Sequence, residues 1–156
     1  MKKSNLIFSS IASITLAIYP QIVRANPRSA VVEKIMDGDT VVLNDGGTSR
    51  TAQLACIDAP DWVNGAPEPH AETSRNRLNS LIPAGSSVQY YDLGTIGGGR
   101  VLAVIFNNNQ NINLQMIAEG QARLHRSYRQ TCSTSANALS QAESAAQSRR
   151  LGVWQN

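Results

Sequence analysis

The chain has little of what thiol, imidazole or soft-metal chemistry requires. It carries two cysteines and two histidines in 156 residues. Cys56 and Cys132 have no histidine at ligand spacing, which argues against a structural zinc site. His70 and His125 lack the serine or cysteine partners of an activated nucleophile. His70 reads as an exposed loop residue, and His125, set among arginines, as structural. The Gly97-Gly98-Gly99-Arg100 stretch lacks the Lys-Ser/Thr of a nucleotide P-loop. Internal repeats and long low-complexity tracts are also missing.

An excess of positive charge is missing too, once the N-terminus is set apart. Lys2 and Lys3 precede an apolar run from Leu6 to Ile18, then Pro20 and the small-residue end Val23-Arg24-Ala25. Residues 1–25 therefore read as a signal peptide. A membrane anchor is the other reading, but the run is short for a span of roughly 20 residues. The leader holds three of the 14 basic side chains and none of the 11 acidic ones. The formal charge of +3 thus belongs to the leader, and residues 26–156 are balanced. A global basic field for nucleic acid is not supported, and anions must be met by local clusters. The expected product is a secreted or periplasmic monomer, with no stable membrane insertion after cleavage. Its two cysteines are either a disulfide, as export favours, or two separate buried thiols.

Residues 26–156 read as one domain. Ala30 to Ile35, Thr40 to Leu43 and Thr51 to Ile57 are strand-like, and Asn44-Asp45-Gly46-Gly47 is a hairpin turn between the second and third. Pro60 to Pro69 reads as an irregular loop. Helical spacing begins at Ala71 and continues through Ser74, Leu78, Leu81 and Ile82. Ser87 to Tyr91 and Arg100 to Phe106 read as two more strands. Helices follow over about 113–119 and 135–150, with Ala122 to Leu124 extended between them. Five short strands and three helices suit an α+β chain built on an OB-fold Greek-key β-barrel, an architecture that binds oligonucleotides or oligosaccharides.

Two acidic stretches carry the chemistry: Asp37-Gly38-Asp39-Thr40 and Ile57-Asp58-Ala59-Pro60-Asp61. Asp39 opens one strand and Asp58 closes another, so a meander brings both toward one point. Asp39, Asp58 and a carbonyl from the Asp58-Ala59 corner are three of the oxygens a Ca²⁺ ion takes. Ordinary turn chemistry is the plainer explanation of the same aspartates. Arg100, after three glycines, is either a phosphate clamp or the exposed tip of a hairpin. Arg123, Arg126 and Arg129 with Tyr128 form either a backbone-binding patch with a stacking ring or a solvated surface.

Taken together and in order, these motifs resemble the thermonuclease family, the staphylococcal nuclease-like domains. The likeness runs from about Ala30 to Trp154. It includes Asp37-Gly38-Asp39-Thr40, Ile57-Asp58-Ala59-Pro60-Asp61, Gly99-Arg100, Asn113-Leu114, Gly120-Gln121-Ala122 and Gly152-Val153-Trp154. The resemblance implies Ca²⁺-dependent hydrolysis of DNA and RNA. It implies metal binding by Asp39, Asp58 and the Ala59 carbonyl, water activation by Asp61, charge neutralisation by Arg100 and substrate contact by Tyr128. Two positions depart from the family pattern. Gln53 stands where the family has an arginine, and Asp61 where it has a glutamate. Losing a preorganised donor costs on the order of 10²–10³ in rate, and a displacement of about 1 Å costs ~10². Arg50, three residues before Gln53, and Arg75 on the next helix are the nearest replacements; Arg50 and Arg123 join Tyr128 as substrate-binding candidates. The resemblance therefore points to a nuclease of reduced activity. The alternatives are a degenerate domain that binds without cutting, and an envelope protein whose barrel binds oligosaccharide or protein.

Overall fold

The computed structural model describes residues 26–155. Residues 1–25, read above as a signal peptide, lie outside them. Strand β1 (Arg28–Ile35) pairs antiparallel with β2 (Thr40–Asp45), and β2 with β3 (Thr48–Leu54). β1 also pairs with β7 (Ser87–Ile96), and β7 with β8 (Arg100–Asn107). The sheet then closes on itself, because β8 runs parallel to β3 with Ala52 beside Val101 and Leu54 beside Ala103. The result is a five-stranded mixed barrel with a short appended strand β9 (Gln110–Asn111).

Alternation along the strands sets what lies inside. In β3, Ala52 and Leu54 are buried while Thr51 and Gln53 face away from the core. In β8, Val101, Ala103 and Ile105 are buried while Arg100, Leu102 and Val104 are turned outward. Val32, Val41, Leu43 and Tyr90 complete the fully buried wall. Helix α1 (Ala71–Leu81) presents Ala71, Ser74 and Leu78, and α2 (Ile112–Ala118) presents Ile112, Met116 and Ile117. α4 (Ala136–Ser148) covers α2 with Leu139 and Ala146. No helix among the described residues is long and apolar enough to cross a membrane.

Asn113 ties α2 to the closing strands. Its amide nitrogen donates to the Ala55 carbonyl at 2.9 Å and the Ala103 carbonyl at 3.0 Å, and its oxygen accepts from Ile105 N–H at 3.0 Å. A buried side chain that satisfies three backbone groups at a seam is one the fold loses only at a cost of a few kcal/mol.

The structure adds elements that the sequence pattern did not indicate. β7 continues past Tyr91 to Ile96. The proline-rich loop contains a small hairpin, β5 (Trp62–Val63) and β6 (Ala66–Pro67), turned by Asn64-Gly65. β4 (Ile57–Asp58) leaves the barrel and pairs instead with β10 (Arg123–Leu124). A one-turn helix α3 (Tyr128–Thr131) raises the three expected helices to four.

Cys56 and Cys132 form a disulfide, with Cα atoms 6.3 Å apart and a separation of 76 positions in sequence. It joins the turn that follows β3 to the segment after α3. Bridging a loop of that length restricts the unfolded chain by about 4 kcal/mol. Reduction, or the Cys56→Ser/Cys132→Ser change, is expected to lower Tm by ~10 °C or more. A calorimetric scan with and without reductant checks this, and an unchanged Tm contradicts it.

Arg77 of α1 and Glu119 after α2 form a two-point ion pair, with Nη2 to Oε1 at 2.7 Å. The hydrogen bond from Arg77 holds the Glu119 carboxyl below its ordinary range, against the opposing effect of partial burial. A depressed folded pKa contributes stability that is complete above the unfolded value and lost as pH falls through the folded one. Glu119→Gln should therefore be less stable than the parent at neutral pH. It should also lose less stability as pH is lowered to about 4 or below. Denaturant titrations at several pH values test this; parallel stability profiles would count against it.

Candidate active site

The turn between β1 and β2 places Asp39 at the mouth of the barrel. Asp37 Oδ1 accepts from Asp39 N–H at 2.9 Å, which fixes the turn. The Asp39 carboxylate is 7% exposed. One of its oxygens accepts from Ala59 N–H at 3.0 Å and the other from the Thr40 hydroxyl at 3.0 Å. Asp39 is thereby held against the corner that carries Asp58. Gly38 makes the approach possible. A Cβ there would sit 2.0 Å from Ser74 Oγ and 2.7 Å from Ala59 Cβ. Ser74 has no room to yield, since it is fully buried and its hydroxyl donates to the Gln121 carbonyl at 2.7 Å.

Burial pushes the Asp39 carboxyl up to about 7, and the nearby Asp37 charge adds to the rise. The Ala59 N–H and the Thr40 hydroxyl pull the other way. A buried carboxylate with two neutral donors and no cationic partner among the described residues is incompletely compensated. A hard cation would complete it. The donors at hand are all oxygen, from Asp39, Asp58 and the Ala59 carbonyl, which is the chemistry such a cation takes. Among the described residues, no three acidic, histidine or cysteine side chains converge into a ready cage. A shell here would therefore draw on carbonyl, solvent or phosphate oxygens as well.

Beside this corner lies an open cavity of about 620 Å³. Asp58, Ala59, Pro60 and Asp61 line it together with Glu68, Pro69 and His70, and with Arg123 and Val153. Register explains how Arg123 arrives there, because it is the antiparallel partner of Asp58. It does not neutralise that aspartate. Its guanidinium lies 4.8 Å from the Trp154 ring centre and donates to the Val153 carbonyl at 3.2 Å. The site thus keeps a cation and several carboxylates side by side.

The remaining expected residues are distributed unevenly. Gln53 is the cross-strand partner of Thr40, the residue after Asp39, so it stands next to the acidic turn. Arg100 opens β8 on the same outward face, with its Nε donating to the Gly97 carbonyl at 3.1 Å, and it does not line the cavity. Arg50 is brought elsewhere. It pairs with Leu43, three positions further from Asp39, and its Nε lies 3.3 Å from the Asp45 carboxylate, which Arg28 and the Tyr90 hydroxyl also hold. Three steps along a strand also reverse the face, so Arg50 points away from the position an arginine at 53 would fill. Arg75 lies 5.8 Å from the Trp62 ring centre. Tyr128 packs against the core beside Arg129 and does not line the cavity.

Two cavity residues were not expected at the site from the sequence. His70, expected as an exposed loop residue, is half-buried on the cavity wall at the start of α1. Glu68 lies in the proline-rich segment, and only its pairing across the β5–β6 hairpin brings it opposite Asp61.

Comparison with known proteins agrees with this architecture. The family model described as staphylococcal nuclease homologue matches residues 51–156. An uncharacterized endonuclease of Haemophilus influenzae is 32% identical over 124 residues, covering 79% of this chain and 64% of that protein. A prophage-derived endonuclease of Bacillus subtilis is 24% identical, covering 79% of this chain and 43% of its own length. A thermonuclease of Staphylococcus intermedius is 24% identical, covering 81% and 76%. The chain thus spans less than two thirds of the first two relatives. A closed five-stranded barrel, an acidic turn pressed against a second acidic corner and the extent of the sequence match lead to one conclusion: the chain belongs to the staphylococcal nuclease homologue family.

Proposed function

We propose that this protein is an exported, Ca²⁺-dependent nuclease that hydrolyses phosphodiester bonds in DNA and RNA, with activity tempered by Gln53 and Asp61. The observation that carries the reading is the uncompensated Asp39 carboxylate, buried and hydrogen-bonded to Ala59 N–H beside a cavity that also holds Asp58, Asp61 and Arg123. Its relatives named endonuclease and thermonuclease support the reaction class. The Cys56–Cys132 disulfide supports export, since such bonds persist in oxidising compartments.

Asp39, Asp58 and the Ala59 carbonyl would hold the ion. When bound it supplies positive charge to the phosphate oxygens and lowers the barrier to adding a further negative charge. The chain's own residues do the rest. Arg123 faces the cavity and meets the phosphate entering it. A carboxylate of the cavity lining aligns water for in-line attack on phosphorus. Arg100 stabilises charge on the transferred phosphoryl once its guanidinium leaves the Gly97 carbonyl, an exposed contact of small net worth. Gln53 fills the neighbouring place on the same face with a neutral donor.

The test is cleavage of single-stranded DNA and RNA with Ca²⁺ and with chelator. Asp39→Ala and Arg100→Ala should each lower the Ca²⁺-dependent rate by at least about 10². No chelator-sensitive cleavage above those controls contradicts the proposal. Gln53→Arg restores a charged donor on the outward face and should raise the rate by about tenfold or more. An unchanged rate would place the limitation elsewhere.

A further inference from the structure

The acid at position 61 is an aspartate whose carboxylate is turned onto its own loop, with Oδ1 accepting from Trp62 N–H at 2.6 Å. Directly across the hairpin stands Glu68. Asp61 N–H donates to Glu68 Oε2 at 2.9 Å, and Glu68 N–H donates to the Asp61 carbonyl at 2.8 Å. These two bonds close the β5–β6 hairpin at its base and keep Glu68 in the cavity lining to which Asp58 and Ala59 also belong. Glu68 is longer than Asp61 by one methylene. It is anchored through one oxygen, while its other oxygen has no hydrogen-bond partner among the described residues. A carboxylate anchored at one oxygen keeps one free acceptor for a water, which is what orienting a nucleophile requires.

We infer that Glu68 holds and deprotonates the attacking water in this chain, and that Asp61 positions Glu68. The inference rests on the nuclease reading. In the step it describes, the water oxygen forms the new bond to phosphorus as its proton passes to Glu68. The bond from phosphorus to the leaving oxygen breaks, that oxygen takes a proton from solvent, and Glu68 returns its proton to solvent.

Glu68→Gln is a near-isosteric test, because its amide oxygen still accepts from Asp61 N–H and the hairpin is retained. In single-turnover cleavage of an oligonucleotide, Glu68→Gln should lower the rate by about 10². Ca²⁺ affinity by calorimetry and thermal stability should stay close to the parent's. Asp61→Glu placed in the Glu68→Gln background should restore at least about tenfold, since it returns a long carboxylate to the same wall. Asp61→Glu in the parent background is the control: a purely structural Glu68 would give the same gain in both backgrounds, whereas a catalytic Glu68 makes the gain larger where Glu68 is missing. The inference is overturned if Glu68→Gln cleaves within about threefold of the parent, if its loss is matched by a loss of Ca²⁺ affinity or stability, or if Asp61→Glu gives no rescue. A parent protein that cleaves while Glu68→Gln is unaffected removes this inference and leaves the nuclease reading intact. A parent without chelator-sensitive cleavage overturns both.

Discussion

The arrangement depends on one buried carboxylate. Removing a charged group from water is costly unless partners replace the solvent. Asp39 receives only a backbone amide and a hydroxyl, and it stands beside the like charge of Asp37. The bond to Ala59 N–H is still decisive, because it ties the β1–β2 turn to the β4 corner, twenty residues away. Gly38, within that turn, abuts Ser74 with no space for a side chain. Sequence, local turn and site therefore meet at one point. The residue that makes the fold's mouth electrostatically incomplete is the one best placed to attract a cation.

The rest of the molecule holds that point still. The barrel closes only where β3 meets β8, and Asn113 satisfies three backbone groups across that seam. The disulfide reaches the same region from the other side, since Cys56 lies two residues before Asp58. The His125 N–H also donates to the Cys56 carbonyl at 2.9 Å, which extends the β10–β4 pairing by one more bond just after β10. Arg123 is then delivered to the cavity by pairing with Asp58, and is restrained by Trp154 near the C-terminus. At the same end, Val153 N–H donates to the Gly120 carbonyl at 2.8 Å, so the terminal segment closes the cavity as well as the fold.

Much of this was legible in local patterns. The first three strands follow from alternation and an Asn-Asp-Gly-Gly turn, and α1 from its buried Ala71, Ser74 and Leu78. Asp39 and Asp58 were legible because they sit at strand ends. Side-chain parity already separates Arg50 from Gln53, an alternation the family likeness does not weigh. The parallel β3–β8 seam was not legible, because nothing in either strand names a partner about fifty residues away. Glu68 and His70 were hidden for a similar reason. The prolines made their segment look shapeless, while Asn64-Gly65 turns it into a hairpin that carries both residues onto the cavity wall.

The central claim is that the Asp39–Asp58 corner holds the ion beside which phosphate is cleaved. A crystal structure with Ca²⁺ and a nucleotide bisphosphate tests it most directly. The account predicts one cation contacting the carboxylates of Asp39 and Asp58 and the Ala59 carbonyl, with the phosphate in the cavity beside Arg123. A cation bound elsewhere, or a nucleotide that ignores this cavity, would contradict it.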